Sequence, residues 1–97
     1  MEILHAVQDR HCQVLIPTPL RKYTDGARQV RGHGETLRAV FDDLEAHHPG
    51  LKFRVIDEQG RLRQHLKLFV NQRLAPDLEA HVEPQDQIQI ILAISGG

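Results

Sequence analysis

A single amphipathic helix among strand-like segments is the feature that most restricts how this chain can fold. Within the segment TLRAVFDDLEAHHPG, four apolar side chains recur at helical spacing and form one stripe: Leu37, Val40, Phe41 and Leu44. Thr36 or Glu35 stands where an N-terminal cap or first-turn acid belongs, and the residues HHPG at 47–50 predict the stop. One apolar stripe needs one apolar partner surface, so the helix predicts a sheet with one covered face.

Four further segments are strand-like, and their order around the helix indicates an α+β domain. They are CQVLIP at 12–17, ARQVRG at 27–32, HLKLFVN at 65–71 and QIQIILAI at 87–94. The last segment places these apolar residues on one face: Ile88, Ile90, Leu92 and Ile94. Ile91 and Ala93 make its other face partly apolar, which predicts a strand in the centre of the sheet.

The remaining segments are predicted as connections. Residues 17–26 are rich in turn formers and read as a long hairpin loop between the first two strands. Residues 51–62 are compatible with a short turn or a strand, and residues 75–87 form a connector with a short helical turn around Leu78. No internal repeat or second domain is predicted.

Composition limits the classes of function. Ninety-seven residues indicate one domain, and 12 Lys and Arg against 13 Asp and Glu leave no electrostatic footprint for nucleic acid or an acidic membrane. Cys12 is the only cysteine, so no intrachain disulfide forms, which suits a reducing compartment. No apolar stretch approaches the roughly 20 residues of a membrane span, and residues 1–10 lack a signal-peptide pattern. We therefore expect a cytoplasmic protein with no nucleic-acid or membrane partner.

The element order and several short motifs resemble the MoaD/ThiS family of ubiquitin-like β-grasp sulfur carriers. The motifs are GETLRAVFDDLE, KLFVN, an acidic turn before the last strand and the terminal Gly96-Gly97, and the resemblance covers residues 12–97. The segment IPTPLRKYTDG looks most like the cysteine-biosynthesis-type carriers. Two departures stand out, namely Gln85-Asp86 where such carriers commonly have Gly-Asp, and a tail without proline.

This resemblance implies a mixed four- to five-stranded β-grasp sheet covered on one face by one main helix. The β-grasp domain spans residues 11–94, preceded by an N-terminal extension at 1–10 that is an edge strand or a disordered arm. Residues 95–97 form a flexible Gly-Gly tail. The chain itself is a carrier and co-substrate, not an enzyme, and it binds no cofactor or metal.

The resemblance also implies the chemistry of the tail. A C-terminal carboxylate on Gly97 is anionic at neutral pH and can attack the α-phosphate of ATP. An adenylating MoeB/ThiF-like activating enzyme uses the ATP, and a sulfur donor or sulfurtransferase then leaves a thiocarboxylate on Gly97. Ser95 and Gly96 thread the activating enzyme, because glycine has no Cβ to clash in a narrow channel.

Several partners and outcomes stay open at this point. The sulfur acceptor is an enzyme of cysteine or methionine, molybdopterin, thiamine or secondary-metabolite biosynthesis. A metal-dependent tail-processing peptidase is a further partner, although trimming is unnecessary if Gly97 is the natural end. The alternatives are a ubiquitin-like modifier conjugated to lysines through Gly97, or a β-grasp interaction module with an inert tail.

Other conspicuous residues receive structural interpretations. His47 and His48 are adjacent, diverge by about 100° on a helix, and suit the dipole of the helix end better than a metal. Cys12 is interpreted as a small apolar filler. A loosely basic stretch predicts a solvated face or a docking patch for an acidic region of a partner: Lys52, Arg54, Arg61, Arg63 and Lys67.

Overall fold

Two antiparallel hairpins joined through the last strand form a five-stranded mixed sheet in the computed structural model, which describes residues 10–93. The strands are β1 (Cys12–Leu15), β2 (Gln29–Gly32), β3 (Leu66–Val70), β4 (Arg73–Leu74) and β5 (Gln87–Leu92). Their order across the sheet is β2-β1-β5-β3-β4. β5 lies parallel to β1 and antiparallel to β3. The prediction of an α+β fold with a central last strand is therefore confirmed.

The predicted helix covers one face of this sheet. Helix α1 (Leu37–His47) begins at Thr36, whose side-chain oxygen accepts a hydrogen bond from the Ala39 amide over 3.1 Å. The whole predicted stripe is completely buried: Leu37, Val40, Phe41 and Leu44. The helix closes where the His48 amide donates to the Leu44 carbonyl over 2.7 Å, and Gly50 follows at φ +96°, a conformation that favours glycine.

Alternate residues of the three central strands complete the core. The buried side chains are Cys12 and Val14 from β1, Leu66 and Leu68 from β3, and Ile88 and Ile90 from β5. They are at most 2% exposed, and each fully buried aliphatic side chain stabilises the fold by roughly 1.5–3 kcal/mol. Successive residues of a strand point to opposite faces of the sheet. The strand residues that alternate with these buried ones therefore form an open face, on the side of the sheet away from α1.

Three local features differ from, or add to, the sequence-based picture. Residues Leu51–Val55 form a short helix, α2, because Leu51 and Val55 lie one turn apart and are both buried. An isolated bridge then pairs Ile56 with Leu62. The loop after β1 contains a 3-10 helix at Thr18–Tyr23, which buries Leu20.

The strand β4 is an addition that the sequence pattern did not specify. It is two residues long and pairs with the end of β3 through a tight turn. Asn71 and Gln72 form that turn with φ of +50° and +72°, the positive values that two-residue hairpin loops require.

Some predictions fall on residues 1–9 and 94–97, which lie outside the described residues. They concern the N-terminal extension, the last residue of the predicted β-grasp domain and the Gly-Gly tail. Among the helices of residues 10–93, none is long and apolar enough to cross a membrane.

Candidate functional site

The root of the C-terminal tail is held at the end of β5. Leu92 lies opposite Leu66 of β3, and the Ala93 amide donates to the His65 carbonyl over 2.7 Å. A backbone hydrogen bond therefore ties the last described residue to the sheet. The sequence-predicted site residues lie outside the described range: Ser95, Gly96 and Gly97. The last described residue before them, Ala93, lies beside the start of β3.

One row of side chains crosses all five strands on the sheet face opposite α1. Leu15 of β1 pairs with Gln29 of β2 and with Gln89 of β5. Gln89 also pairs with Phe69 of β3, which pairs in turn with Leu74 of β4. Since residues paired across a sheet project to the same side, the row presents three apolar and two amide side chains.

The next row toward the tail adds one apolar side chain and one cation. Ile91 of β5 pairs with Lys67 of β3. We call Leu15, Phe69, Leu74 and Ile91 the open-face patch. Leu15, Phe69 and Ile91 are half-buried, Leu74 is 56% exposed, and none of the four belongs to the core. The open face therefore combines apolar side chains with Gln89 between Leu15 and Phe69, Gln29 at one edge and Lys67 beside Ile91.

The start of β5 is fixed by a side-chain network at the opposite end of the strand from the tail. The Asn71 amide group donates to the Asp86 carboxylate over 2.7 Å, and the Asn71 side-chain oxygen accepts from the Gln87 amide over 2.9 Å. The second Asp86 oxygen accepts from the Glu83 amide over 2.8 Å. The turn before β5 is thereby joined to the β3–β4 hairpin, which sets the register of the strand that carries the tail.

Gln85 occupies this turn in the left-handed region, at φ +76°. The backbone amide of Gln85 donates to the His11 carbonyl over 2.9 Å, so the turn is also attached to the residue before β1. The sequence departure noted at Gln85-Asp86 therefore falls on a position whose backbone favours glycine.

Cys12 is a buried core residue. Its thiol donates to the Gly32 carbonyl with a sulfur–oxygen distance of 3.3 Å, and 2% of the residue is exposed. Burial raises the pKa of the Cys12 thiol to about 11, which disfavours the thiolate needed for nucleophilic chemistry. The prediction of a small apolar filler agrees with this environment.

The histidines at the end of α1 lie where the sequence placed them. His47 is the last residue of the helix, with its Nδ1 3.1 Å from the Asp43 carbonyl oxygen, and His48 is the C-terminal cap. Within residues 10–93, no group of three or more His, Cys, Asp or Glu side chains is arranged to hold a metal ion.

The predicted basic stretch is divided among different surroundings. Lys52 pairs with Asp42 at a nitrogen–oxygen distance of 2.5 Å, and the Arg63 guanidinium stacks 4.6 Å above the Phe53 ring. Lys67 lies on the open face, and Arg54 is exposed on α2. The stretch is therefore not one patch.

Comparisons with known proteins agree on one relationship. The model of the ThiS family matches residues 14–97. The sulfur carrier protein CysO of Mycobacterium tuberculosis (strain ATCC 25618 / H37Rv) is 36% identical over 89 residues, covering 87% of this chain and 96% of the relative. A chain of the Amycolatopsis orientalis BexX/CysO complex superposes with a TM-score of 0.82 at 35% identity, covering 89% of this chain and 99% of that chain. SAMP1, the small archaeal modifier protein 1 of Haloferax volcanii, superposes with a TM-score of 0.76 at 26% identity, covering 90% of this chain and 99% of that chain.

Proposed function

The chain belongs to the ThiS family, and from this membership we propose that it is a sulfur carrier whose Gly97 receives the sulfur as a thiocarboxylate. Its ubiquitin-like β-grasp fold is that of its structural neighbours. The relationship to the CysO sulfur carriers, over most of both chains, is the observation that carries the proposal. The family match also extends through Gly96 and Gly97. The protein acts as a carrier and co-substrate, and we place its reactions in the cytoplasm.

The proposed reaction needs no side chain of this protein as a catalyst. The Gly97 carboxylate attacks the α-phosphate of ATP within a MoeB/ThiF-like activating enzyme, and pyrophosphate leaves. A sulfide or persulfide sulfur from a donor then attacks the acyl carbon, the carbon–oxygen bond to AMP breaks, and AMP leaves. With a persulfide donor, reduction of its sulfur–sulfur bond by a thiol releases the thiocarboxylate. ATP is a substrate of the activating enzyme, not a cofactor of this chain.

The open-face patch is the proposed docking surface for the activating enzyme. Two of its residues, Phe69 and Ile91, lie on β3 and β5, the strands that meet at the tail root, and Ile91 is two residues before Ala93. A partner that covers Phe69 and Ile91 would thus also hold the strand from which Ser95 and Gly96 extend. The short distance along β5 limits the backbone freedom lost when the tail is ordered.

The acceptor is proposed to be a biosynthetic enzyme of the cysteine type. The segment IPTPLRKYTDG, which looks most like the cysteine-biosynthesis-type carriers, supports this choice over the molybdopterin, thiamine and secondary-metabolite types. One CysO structure contains BexX as its partner, so proteins of this shape form complexes with other proteins.

A protein-modifier role is the second candidate, and the likeness to SAMP1 favours it. That role uses the same Gly97 adenylate but transfers the acyl group to a lysine amine, forming an isopeptide bond with loss of AMP. The two roles therefore differ only in the final nucleophile.

Intact-mass spectrometry tests the proposal. The protein is incubated with the ThiF-like activating enzyme of its source, ATP and sulfide, and the expected product is heavier by the exchange of one oxygen for sulfur. A variant lacking Gly97 is the control and should remain unchanged. Absence of the sulfur-containing species from the complete reaction contradicts the carrier role. Lysine adducts of the tail in a cell digest, without thiocarboxylate, would establish the modifier role instead.

A further inference from the structure

A shallow groove of about 490 Å³ adjoins the root of the tail. The 3-10 helix contributes Pro19 and Lys22, α2 contributes Arg54, and the sheet ends contribute His65, Leu92 and Ala93. We call it the tail-root groove. Because Ala93 forms part of its wall, a segment bound in the groove would lie two residues before the start of the tail at Ser95.

The described part of the groove carries two positive charges. Lys22 and Arg54 are exposed, as is His65, and none of the lining side chains among residues 10–93 is acidic. The ion pairs found among residues 10–93 use other cations, such as Lys52 with Asp42 and Arg38 with Glu79. The Lys22 ammonium lies 5.6 Å from the centre of the Tyr23 ring, a contact that leaves its charge available to a partner.

Acidic side chains collect at the opposite end of β5. Glu83 and Asp86 lie in the turn before Gln87, the first residue of the strand, whereas the groove lies beyond Leu92, its last residue. The chain has a net charge of −1, yet these side chains give the two ends of β5 different charge. Such separation orients a charged partner during association without requiring a large net charge.

We propose that the tail-root groove docks an acidic peptide segment of the activating enzyme. This inference rests on the function proposed above. Lys22 and Arg54 supply the charge, and the Arg54 guanidinium can hold a carboxylate through two parallel hydrogen bonds. Pro19 and Leu92 supply apolar walls that suit a peptide with alternating acidic and apolar residues. Docking there would orient the tail while the open-face patch supplies the larger contact.

A peptide fits these observations better than a nucleic acid. Two cationic side chains, Lys22 and Arg54, form a small site, whereas a nucleic-acid footprint extends over many phosphates. The acidic turn that contains Glu83 and Asp86 would also repel a long polyanion lying along β5.

Titration of the isotope-labelled protein with a synthetic peptide of alternating glutamate and leucine tests the groove. Amide shifts are expected near Lys22, Arg54, His65 and Ala93, and they should diminish at high salt. The double variant Lys22→Glu/Arg54→Glu should lose these shifts. The variant Arg73→Glu, in which an exposed cation on β4 is reversed, should retain them. The proposal is overturned if the shifts occur elsewhere or are equally large with the double variant. It is also overturned if a single-stranded oligothymidylate binds more strongly than the peptide.

The rate of thiocarboxylate formation separates this inference from the carrier function. At low salt the double variant should react at least about tenfold more slowly than the parent at subsaturating activating enzyme, because electrostatic steering is lost. Its rate should recover at saturating enzyme. If the parent protein forms thiocarboxylate and the double variant reacts equally fast, the groove proposal fails and the carrier role stands. If the parent forms none, the carrier role fails, while the peptide titration still decides whether the groove binds acidic segments.

Discussion

Asn71 and Asp86 join the two structural units that hold the start of β5, through a hydrogen bond of 2.7 Å from the Asn71 amide group to the Asp86 carboxylate. Asn71 belongs to the turn between β3 and β4, and Asp86 to the turn that precedes β5. Both residues also bond to the backbone around them. The strand that ends at the tail is therefore anchored at its beginning by side chains and at its end by the bond between Ala93 and His65.

Replacing Asp86 with alanine should lower the free energy of unfolding by about 1–3 kcal/mol, because the Asn71 and Glu83 donors lose their acceptor. Urea denaturation monitored by circular dichroism measures the change. The control is Glu79→Ala, which removes an exposed ion pair with Arg38 and should change stability by about 0–1 kcal/mol. Equal losses for the two variants would contradict the anchoring role of Asp86.

Replacing Gln85 with glycine should raise the free energy of unfolding by about 0.5–1 kcal/mol. The left-handed conformation at φ +76° disfavours a residue with a Cβ by roughly 1–2 kcal/mol, and glycine removes this strain. Part of the stabilisation is offset because glycine has more conformational freedom in the unfolded chain. The matched control is Gln89→Gly, on an exposed position of extended β5, which should instead be destabilising. Thermal and urea denaturation should show opposite signs for the two substitutions.

Local patterns in the sequence predicted the main elements of this fold. The apolar stripe of α1 and the alternation of β1, β3 and β5 depend on neighbouring residues only. The four residues of the stripe are buried, as are Ile88 and Ile90 of β5, whereas Leu92 is half-buried and Ile94 lies outside the described residues. The two-residue strand β4 has too few residues to show alternation, and its turn lacks the glycine that typically marks such hairpins. Helix α2 is five residues long, too short for its periodicity to exclude a strand.

The candidate site depended more heavily on contacts between distant segments. Alternation already placed Leu15 and Phe69 on the opposite face from Val14 and Leu68. It could not place Leu15 and Phe69 in one row, because that row requires β5 to lie between β1 and β3. The tail-root groove likewise combines segments that lie far apart in the sequence. No local sequence pattern therefore predicts that Lys22 and His65 line the same groove. The assignment of Gly96 and Gly97 rests on the terminal glycine pair together with the element order before it, and it stays a prediction.

Phe69→Ala should weaken binding of the activating enzyme while leaving the fold intact. Phe69 is half-buried on the open face and outside the core, and a central aromatic anchor in a docking surface contributes about 2 kcal/mol or more. The apparent affinity, measured by calorimetry with the activating enzyme, should therefore fall by at least about tenfold.

The adjacent substitution Leu68→Ala provides the contrast for Phe69. Leu68 is 1% exposed, so its truncation should lower the free energy of unfolding by about 2–5 kcal/mol. The affinity of the remaining folded protein should stay close to that of the parent. A Phe69 variant that binds normally would exclude the open-face patch as the docking surface.

Cys12 should make stability fall at alkaline pH. Its ordinary thiol pKa of 9.0 is raised to about 11 in the folded protein, so the fold favours the protonated thiol. This contribution is fully present below pH 9.0 and is lost as the pH rises from 9.0 toward 11. Because lysine and tyrosine also titrate there, the measurement is the difference in unfolding free energy between the parent and Cys12→Ala across that range.

Three measurements decide the interpretation of Cys12. As the pH rises, the unfolding free energy of the parent should decrease relative to that of the Cys12→Ala variant. The Cys12 thiol should react with iodoacetamide faster when the protein is unfolded. Cys12→Ala should form thiocarboxylate at the parent rate. Loss of charging in that folded variant would contradict a purely structural role.

Gly96→Val should abolish rapid charging without altering the stability of the domain. The proposed route through the activating enzyme requires a slender segment immediately before Gly97, and a branched side chain there would displace the reacting carboxylate. A displacement of about 1 Å reduces the rate on the order of 100-fold, which mass-spectrometric time courses can measure. Ser95→Ala is the control, since it keeps a small side chain at the neighbouring position, and it should react at nearly the parent rate. If Gly96→Val is charged as fast as Ser95→Ala, a narrow channel is not part of the mechanism, and the glycine pair must serve a step after sulfur transfer to Gly97.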